Sequence, residues 1–216
     1  MRKVALITDG WRRLFTYAWP AGILQRIRET GEDVNLYIFN STGNWSRDAG
    51  YNRAEYNIYN LPELSDFDGI ILELNNISSP AVLADVISNA KRSGRPVVSI
   101  ANELGDFYYV GIDNYSAMKQ VIAHLHEVHD CKKFWLLVGA QDNYESSCRL
   151  QGMLDYAKEH KIKIDKDDIW YGSFDYKSGL EGYKHLWDRH KELPDAVICI
   201  NDNVAGGGGG GAGGGG

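Results

Sequence analysis

The sequence predicts an α/β protein in which parallel strands are covered by helices on both faces. Short β-rich apolar runs recur along the 216 residues at intervals that leave room for one helix each. The intervals carry apolar residues at helical spacing, and the first two helical patterns stop at a glycine, Gly31 and Gly94. Buried strands that alternate with amphipathic helices form parallel sheets with right-handed crossovers. We therefore expect a doubly wound architecture.

The predicted elements alternate over most of the chain. The strands are VALIT (4–8), VNLYIF (34–39), GIILEL (69–74), PVVSIA (96–101), KFWLLV (133–138), DIWYG (168–172) and AVICI (196–200). The helices are 20–30, 81–93, 115–128, 145–160 and 177–190. The third helix carries the clearest apolar stripe, formed by Met118, Val121, Ile122 and Leu125.

One segment, FYYVGIDN at 107–114, interrupts the alternation. It has an extended pattern and follows PVVSIA after a polar NELGD turn, with no helix between them. Such a segment either carries the chain from one sheet to a second sheet or forms an antiparallel edge strand. If it is a crossover, the first lobe ends near residue 105 and the second begins near Asp113.

The composition indicates a globular protein that binds neither nucleic acid nor a membrane through this segment. Hydrophobic residues make up 44% of the chain, charged residues 24%, and the formal net charge is -6. A phosphate-binding surface needs a concentrated basic face, and the nearest candidate, Arg12-Arg13, is too short. No stretch approaches the ~20 apolar residues of a membrane span, and Met1 leads into a strand-like run instead of a signal peptide. We expect a cytoplasmic protein whose cysteines, which lack CxxC spacing, are reduced.

Motifs of common catalytic and cofactor sites are missing from the sequence. No GxGxxG follows the first strand, and GxxxxGK[ST], GxSxG and HExxH do not occur. The histidines do not form a site by spacing, since His124 and His126 lie on different faces of a helix. Cys148 has no obvious base. We therefore expect no catalytic residue, no metal and no cofactor.

Polar and aromatic side chains stand directly after several predicted strands. They are Asp9, Trp11 and Phe15 after the first strand, Asn102 and Glu103 after the fourth, residues 141–149 after the fifth full strand, Phe174 and Asp175 after the sixth, and Asn201 and Asp202 after the seventh. Ligands of open α/β sheets bind at the carboxyl ends of strands. Rings that stack on C–H faces, beside carboxylate, amide and guanidinium groups that bind hydroxyl pairs, suit a small polyhydroxylated ligand. The alternative is local use of each residue, with Asp9 and Asp202 as helix caps, Arg149 in a surface ion pair and Trp11 in core packing.

Seven motifs in order carry a resemblance to a known family. They are VALITD, FDGIIL, RPVVSIA, VGIDNYSAMKQVIAHL, SSCRLQGMLDYAKEHKI, GSFDYKSGLEGYKHL and PDAVICINDNVA, and they cover most of residues 3–205. This set resembles the effector-binding core of LacI/GalR-type regulators, which shares its fold with periplasmic sugar-binding proteins. The resemblance implies two Rossmann-like lobes with parallel sheets joined by crossover strands, a ligand in the cleft between them, and hinge closure as the signal. It also makes FYYVGIDN the first crossover.

The resemblance further implies ligand contacts at individual positions. Arg149 in CRLQG matches the family's arginine that grips ligand hydroxyls or carboxylate, and Phe174 in GSFDYKSG matches an aromatic that stacks on the ligand. Asp202 in INDNVA matches an acidic hydrogen-bond acceptor. Asn102 stands where the family places a first-lobe contact, although Ala101 replaces the usual acidic residue before it. The loop from Asp9 to Phe15 matches the family only loosely, because GWRRLF replaces the usual small polar residues and Asn-Pro. The predicted ligand-binding set is Asp9, Trp11, Phe15, Asn102, Arg149, Phe174, Asn201 and Asp202.

The leading hypothesis is a cytoplasmic sensor that binds a sugar or similar small metabolite. DNA-binding members carry a helix-turn-helix headpiece before the first strand, which here begins at residue 4, so DNA is expected as a partner only through a headpiece not present in this chain. A homodimer is expected from the family. One alternative is the same core attached to a signalling enzyme such as a diguanylate cyclase. Another is a small α/β enzyme that uses Asp9, Arg149 or Asp202 catalytically.

The expected domains are an N-terminal lobe at 1–105, a crossover hinge at 106–114, a partial C-terminal lobe at 115–205 and a glycine tail at 206–216. In the family, the Asn-Asp found here at 201–202 is followed by a helix, another strand and a return crossover, whereas this chain continues with GGGGGGAGGGG. A glycine run is a flexible linker with poor helix propensity. We interpret the second lobe as incomplete and the glycines as placeholders for an unassigned helix that Asn201 or Asp202 caps.

Overall fold

A computed structural model describes residues 1–10, 14–42, 48–75, 77 and 79–212. The chain divides into two compact units, Met1–Ile112 and Asp113–Gly216. The division falls inside the segment 106–114, for which the sequence predicts a crossover. Within the described residues, no helix is both long and apolar enough to cross a lipid bilayer.

The first unit is built on a five-stranded parallel sheet. Its strands are β1 (Arg2–Asp9), β2 (Val34–Ser41), β3 (Gly69–Glu73), β4 (Val97–Ile100) and β5 (Tyr108–Val110), in the order β2-β1-β3-β4-β5. Its helices are α1 (Leu14–Thr30), α2 (Ala49–Glu55) and α3 (Pro80–Arg92), with single-turn helices at Tyr56–Asn60 and Leu64–Asp66. All paired strands of this sheet run parallel, so the predicted fold class is confirmed here.

The core of the first unit comes from the apolar runs that predict its strands. Leu6, Ile7 and Leu72 are fully buried in β1 and β3. In α3 the buried residues Val86 and Ala90 are one helical turn apart, so they share the face that packs on the sheet. This packing fixes the carboxyl ends of β1, β3 and β4 along one edge.

The strand β5 decides against one of the two alternatives predicted for the segment 107–114. It pairs with β4 in parallel, with Val98 beside Tyr108, so an antiparallel edge strand is wrong. The reason lies in the connection, where Leu104 and Phe107 pack against the core of the first unit. These two side chains hold the connecting loop against the unit. The loop therefore carries the chain back to the other end of the sheet, and β5 then runs in the same direction as β4.

The second unit carries a three-stranded parallel sheet. Its strands are β6 (Phe134–Val138), β7 (Ile169–Tyr171) and β8 (Ala196–Cys199), in the order β7-β6-β8. Its helices are α4 (Asn114–His129), α5 (Tyr144–Glu159), α6 (Tyr176–His190) and α7 (Asp202–Ala212). The strand β6 is buried along its whole length and is flanked on both sides, as its uninterrupted apolar run FWLLV predicts.

The helix α7 contains the described part of the glycine run. The side chain of Asn201 precedes it and accepts a hydrogen bond from the backbone N–H of Val204 at 2.9 Å, which is an N-cap contact. A Cβ atom on Gly207 would lie 1.9 Å from the carbonyl oxygen of Tyr176, so α6 and α7 touch through their backbones. The interpretation of 206–216 as placeholders stays a prediction; larger side chains there require a wider spacing of these two helices.

Candidate ligand-binding site

In the second unit, several predicted residues meet at the carboxyl edge of the sheet. The Nη1 atom of Arg149 donates to the carbonyl oxygen of Ile200 at 2.7 Å. The next residue, Asn201, donates from Nδ2 to the carbonyl oxygen of Phe174 at 3.1 Å. Because β6 lies between β7 and β8, residues after these strands share one edge. The structure thus brings four of the predicted residues together at this edge: Arg149, Phe174, Asn201 and Asp202. Their spacing in the sequence could only suggest this.

The guanidinium of Arg149 is held by two neutral groups. Arg149 lies on α5, which begins where Asn143 accepts a hydrogen bond from the backbone N–H of Ser146 at 2.9 Å. Its Nε atom donates to Oδ1 of Asn114 at 2.7 Å, in addition to the bond with Ile200. Neither partner carries a charge that would cancel the positive charge of Arg149. The arrangement suits recognition of hydroxyl or carboxylate oxygens more than the surface ion pair that was the alternative.

The ring of Phe174 rests on the backbone at the end of β6. A Cβ atom on Gly139 would lie 2.4 Å from Cε1 of Phe174, so only glycine allows the ring this position. Phe174 is half-buried, which leaves part of the ring accessible for stacking on a C–H face. Glycine at 139 therefore helps to set the place of this aromatic side chain.

Asn201 and Asp202 have different roles in the structure. Both ends of the Asn201 amide make hydrogen bonds, one with Val204 as the cap of α7 and one with Phe174. Asp202 is exposed at the first position of α7, where a carboxylate is favoured by the helix dipole. The cap is thus Asn201, and Asp202 is the accessible acceptor of the pair.

A groove of about 300 Å³ lies at the same edge of the second unit. Its lining residues are Ala140, Gln141, Ser146, Ser147, Leu150, Gln151 and Tyr171. Sequence reasoning included 141–149 but missed Tyr171 and Gln151. The signal for Tyr171 was present, because it is an aromatic residue at the carboxyl end of the predicted strand DIWYG.

In the first unit, Asp9 is buried and bonded within the unit. It has no exposed surface, and Oγ of Ser41 donates to its Oδ1 atom at 2.5 Å. The hydroxyl of Tyr59 donates to the carbonyl oxygen of Thr8 at 2.9 Å. Burial, followed by the nearby charge of Asp9, raises the pKa of Tyr59 well above its usual range. Asp9 is thus part of a buried polar cluster of the first unit, and its contact with a ligand stays a prediction.

Glu73 is a buried carboxylate that sequence reasoning missed. It ends β3 with a 3% exposed side chain, and its Oε2 atom accepts a hydrogen bond from Oγ1 of Thr8 at 2.8 Å. The signal was an acidic residue at the end of the buried run GIILEL. The remaining first-strand predictions cannot be placed: Trp11 lies outside the described residues, and so does the side chain of Phe15, although its backbone belongs to α1.

Asn102 lies at the carboxyl edge of β4, next to an unusual backbone conformation. Ala101 has φ of 66°, in the left-handed region that residues other than glycine rarely adopt. Ser99 donates from Oγ to the carbonyl oxygen of Asn102 and so fixes this turn. Among the residues that the structure describes, the buried Oδ1 atom of Asn102 has no hydrogen-bond partner. A ligand hydroxyl is the kind of donor that such an oxygen requires.

The described residues offer little for metal or thiol chemistry. They contain no group of three or more His, Cys, Asp and Glu side chains that could hold a metal ion. Burial raises the pKa of the Cys199 thiol to about 11, so this cysteine is protonated and a poor nucleophile at neutral pH.

These two α/β units, with polar and aromatic groups at the carboxyl edges of parallel sheets, define a ligand-binding protein of the periplasmic-binding-protein class. Residues 52–216 match the family described as periplasmic binding proteins and sugar binding domain of LacI family. The match spans more than half of the chain, and the chain therefore belongs to this family. The resemblance to LacI/GalR-type regulators is confirmed.

Individual relatives agree with this assignment. The chain is 30% identical over 153 residues to catabolite control protein A of Staphylococcus epidermidis, a match that covers 70% of this chain and 44% of that protein. The chain thus matches less than half the length of this curated relative. A LacI-family regulator from Escherichia coli, solved with phosphate, shares the fold with a TM-score of 0.73 at 20% identity, over 97% of this chain and 71% of that chain. The transcriptional regulator CelR in complex with cellobiose gives a TM-score of 0.67 at 24% identity, over 94% of this chain and 59% of that chain.

Proposed function

We propose that the chain is the ligand-sensing part of a LacI-type transcriptional regulator and binds a sugar or a similar small polar metabolite. The observation that carries the proposal is the Arg149 guanidinium, anchored by Asn114 and Ile200 at the same edge as Phe174. A fixed guanidinium and an aromatic ring together recognise the hydroxyl groups and the C–H face of a sugar. The family description and the cellobiose complex of CelR support this ligand class.

Occupancy is signalled, in this proposal, by closure of the two lobes, as the family resemblance implies. A ligand shifts the equilibrium between the open and closed states only as far as its affinities for the two states differ. A useful shift requires a difference in binding free energy of a few kcal/mol. The whole regulator then works in the cytoplasm as a homodimer, and contacts DNA through a headpiece outside this chain. The support for DNA contact is that the matched family includes the LacI family and that a solved relative is named as a LacI-family transcriptional regulator. The homodimer and the cytoplasmic location are what the family resemblance implies.

We propose binding without turnover. The matched family and the curated relative are regulators or binding proteins, which favours a sensor over the small α/β enzyme considered above. The same matches favour a transcriptional regulator over a core attached to a signalling enzyme. Turnover of a bound sugar would support the enzyme instead.

The test is calorimetry with cellobiose, glucose and inorganic phosphate on the purified chain and three variants. Arg149→Ala and Asp202→Ala should each weaken the affinity for the bound probe by about 1.5–3 kcal/mol, the contribution of a charge-assisted hydrogen bond. The control is Arg189→Ala, which removes an exposed ion pair with Asp167 in the same unit. Unchanged affinity in both site variants would refute the site, and the control should bind as the unmodified chain does.

A further inference from the structure

We propose that Asn114 is the positioning residue of Arg149, and that it links the state of this arginine to the start of the second unit. The inference rests on the proposed function, since it assigns regulation to the same site. Sequence reasoning gave Asn114 no role, because it lies 35 residues from Arg149 along the chain.

Asn114 is buried and its amide has one possible orientation. The side chain is 5% exposed, and it sits in the first turn of α4. Its Oδ1 atom accepts from Nε of Arg149 at 2.7 Å, and its Nδ2 atom donates to Oε1 of Glu145 at 3.3 Å. A guanidinium only donates and an ionised carboxylate only accepts, so a flipped amide would face a donor with a donor and an acceptor with an acceptor. The contacts therefore lock the amide, and the amide locks the Nε–H direction of Arg149.

The two anchors of Arg149 come from different parts of the unit. Asn114 begins α4, and Ile200 follows the end of β8. Two bonds to a planar guanidinium, at Nε and Nη1, fix both the position and the tilt of its plane. A neutral amide can do this without forming an ion pair that would compete with a ligand. The choice of Asn over Asp at 114 thus keeps the charge of Arg149 available.

The place of Asn114 in the chain gives the arrangement a regulatory consequence. The second compact unit begins at Asp113, whose Oδ1 atom caps α4 by accepting from the backbone N–H of Ser116 at 2.9 Å. Asn114 is the next residue, so a ligand that displaces the Arg149 guanidinium also displaces its partner Asn114, in the segment through which the chain enters the second unit. The same displacement reaches Ile200, which directly precedes Asn201, the N-cap of α7.

The first measurement is made on the chain without a ligand. The Nε–H resonance of Arg149 is identified in a ¹H–¹⁵N spectrum by its loss in Arg149→Lys, and its exchange with solvent is measured in Asn114→Ala, Asn114→Asp and the unmodified chain. In Asn114→Ala the exchange should become at least about tenfold faster, because the acceptor of this N–H is gone. In Asn114→Asp a carboxylate oxygen replaces the amide oxygen, but the second carboxylate oxygen would face Glu145, so this substitution is combined with Glu145→Gln, and exchange should stay within about threefold of the original.

The matched control is Asn89→Ala, which removes another asparagine–arginine contact, that of Asn89 with Arg92 on α3. It should leave the Arg149 resonance unchanged. Equal exchange in Asn114→Ala and the unmodified chain would overturn the proposal. If Asn114→Ala does not fold, the combined Asn114→Asp and Glu145→Gln variant decides alone: loss of the protected resonance in that variant also overturns the proposal.

The second measurement is the affinity for cellobiose by calorimetry. Asn114→Ala should weaken binding by about tenfold and Asn89→Ala should not change it. A protected Arg149 resonance that depends on Asn114, in a chain that binds none of the sugar probes, would support the positioning role and count against the proposed function. Normal cellobiose affinity in a folded Asn114→Ala variant would count against the positioning role and leave the proposed function intact.

Discussion

The carboxyl edges of the two sheets follow the same topological rule but treat their polar residues differently. In the first unit Asp9 and Glu73 are buried and bonded to neighbouring hydroxyl groups. In the second unit Arg149 and Phe174 are half-buried, and Asp202 is exposed. A position at a strand end therefore makes a residue a candidate for ligand contact, and the partners that the rest of the unit offers decide whether it stays accessible.

The strongest test of this comparison is Asp9→Ala. Removal of a buried carboxylate that accepts from Ser41 leaves that hydroxyl and its surroundings without their charged partner, and should lower the free energy of unfolding of the first unit by about 2–3 kcal/mol. Site-resolved hydrogen exchange measures the loss within β1 and β2. The control is Asp106→Ala, whose side chain is 92% exposed, and it should change stability by less than about 0.5 kcal/mol. A first unit that remains fully stable in Asp9→Ala would show that the buried contacts are not what holds this edge.

Alkaline titration probes the same buried cluster. The pKa of Tyr59 is raised in the folded state, chiefly by burial, so above about pH 10 the unfolded chain loses this proton first. The free energy of unfolding should then fall as the pH rises from about 10, and Tyr59→Phe should flatten the fall in the first unit. In the second unit burial and the Glu127 hydrogen bond raise the pKa of Tyr156 to about 12, so Tyr156→Phe provides the matching measurement there. Identical curves for Tyr59→Phe and the unmodified chain would contradict the assignment.

In the second unit, Gly139→Ala should affect binding more than folding. The added Cβ would lie 2.4 Å from the Phe174 ring, and the ring tip can swing outward to relieve the contact. Affinity for cellobiose should weaken by about tenfold, since the ring leaves its stacking position. Gly22→Ala in α1 is the control, because nothing lies within 4 Å of its Cβ position. Unaltered affinity together with a displaced ring would remove Phe174 from the site.

The predictions from sequence differ from the structure where a residue's partners are distant in the chain, which is also what separates the carboxyl edges of the two sheets. The strands could be predicted because each one is an apolar run whose signal is local. Asn114 could not be assigned to Arg149, nor Asp9 to the core, because their partners are brought together only by the fold. The short helix α2 was missed for a related reason: seven residues with no apolar stripe give no periodic signal, and its cap Asp48 is recognisable only once the backbone is in place.

The smallest expected effect concerns the left-handed residues, which lie in different places in the two units. Ala101 adopts φ of 66° at the predicted ligand edge, whereas Lys191 adopts φ of 54° at the distal end of α6. Replacing either by glycine removes the clash of Cβ with the backbone and should raise the free energy of unfolding by about 0.5–1 kcal/mol. Only Ala101→Gly should also weaken cellobiose binding, by about threefold, because a freer backbone holds the buried amide of Asn102 less firmly. Thermal unfolding and calorimetry on both variants separate the two effects. Equal binding by Ala101→Gly and Lys191→Gly would mean that the left-handed backbone of Ala101 does not help to hold Asn102 in place for a ligand.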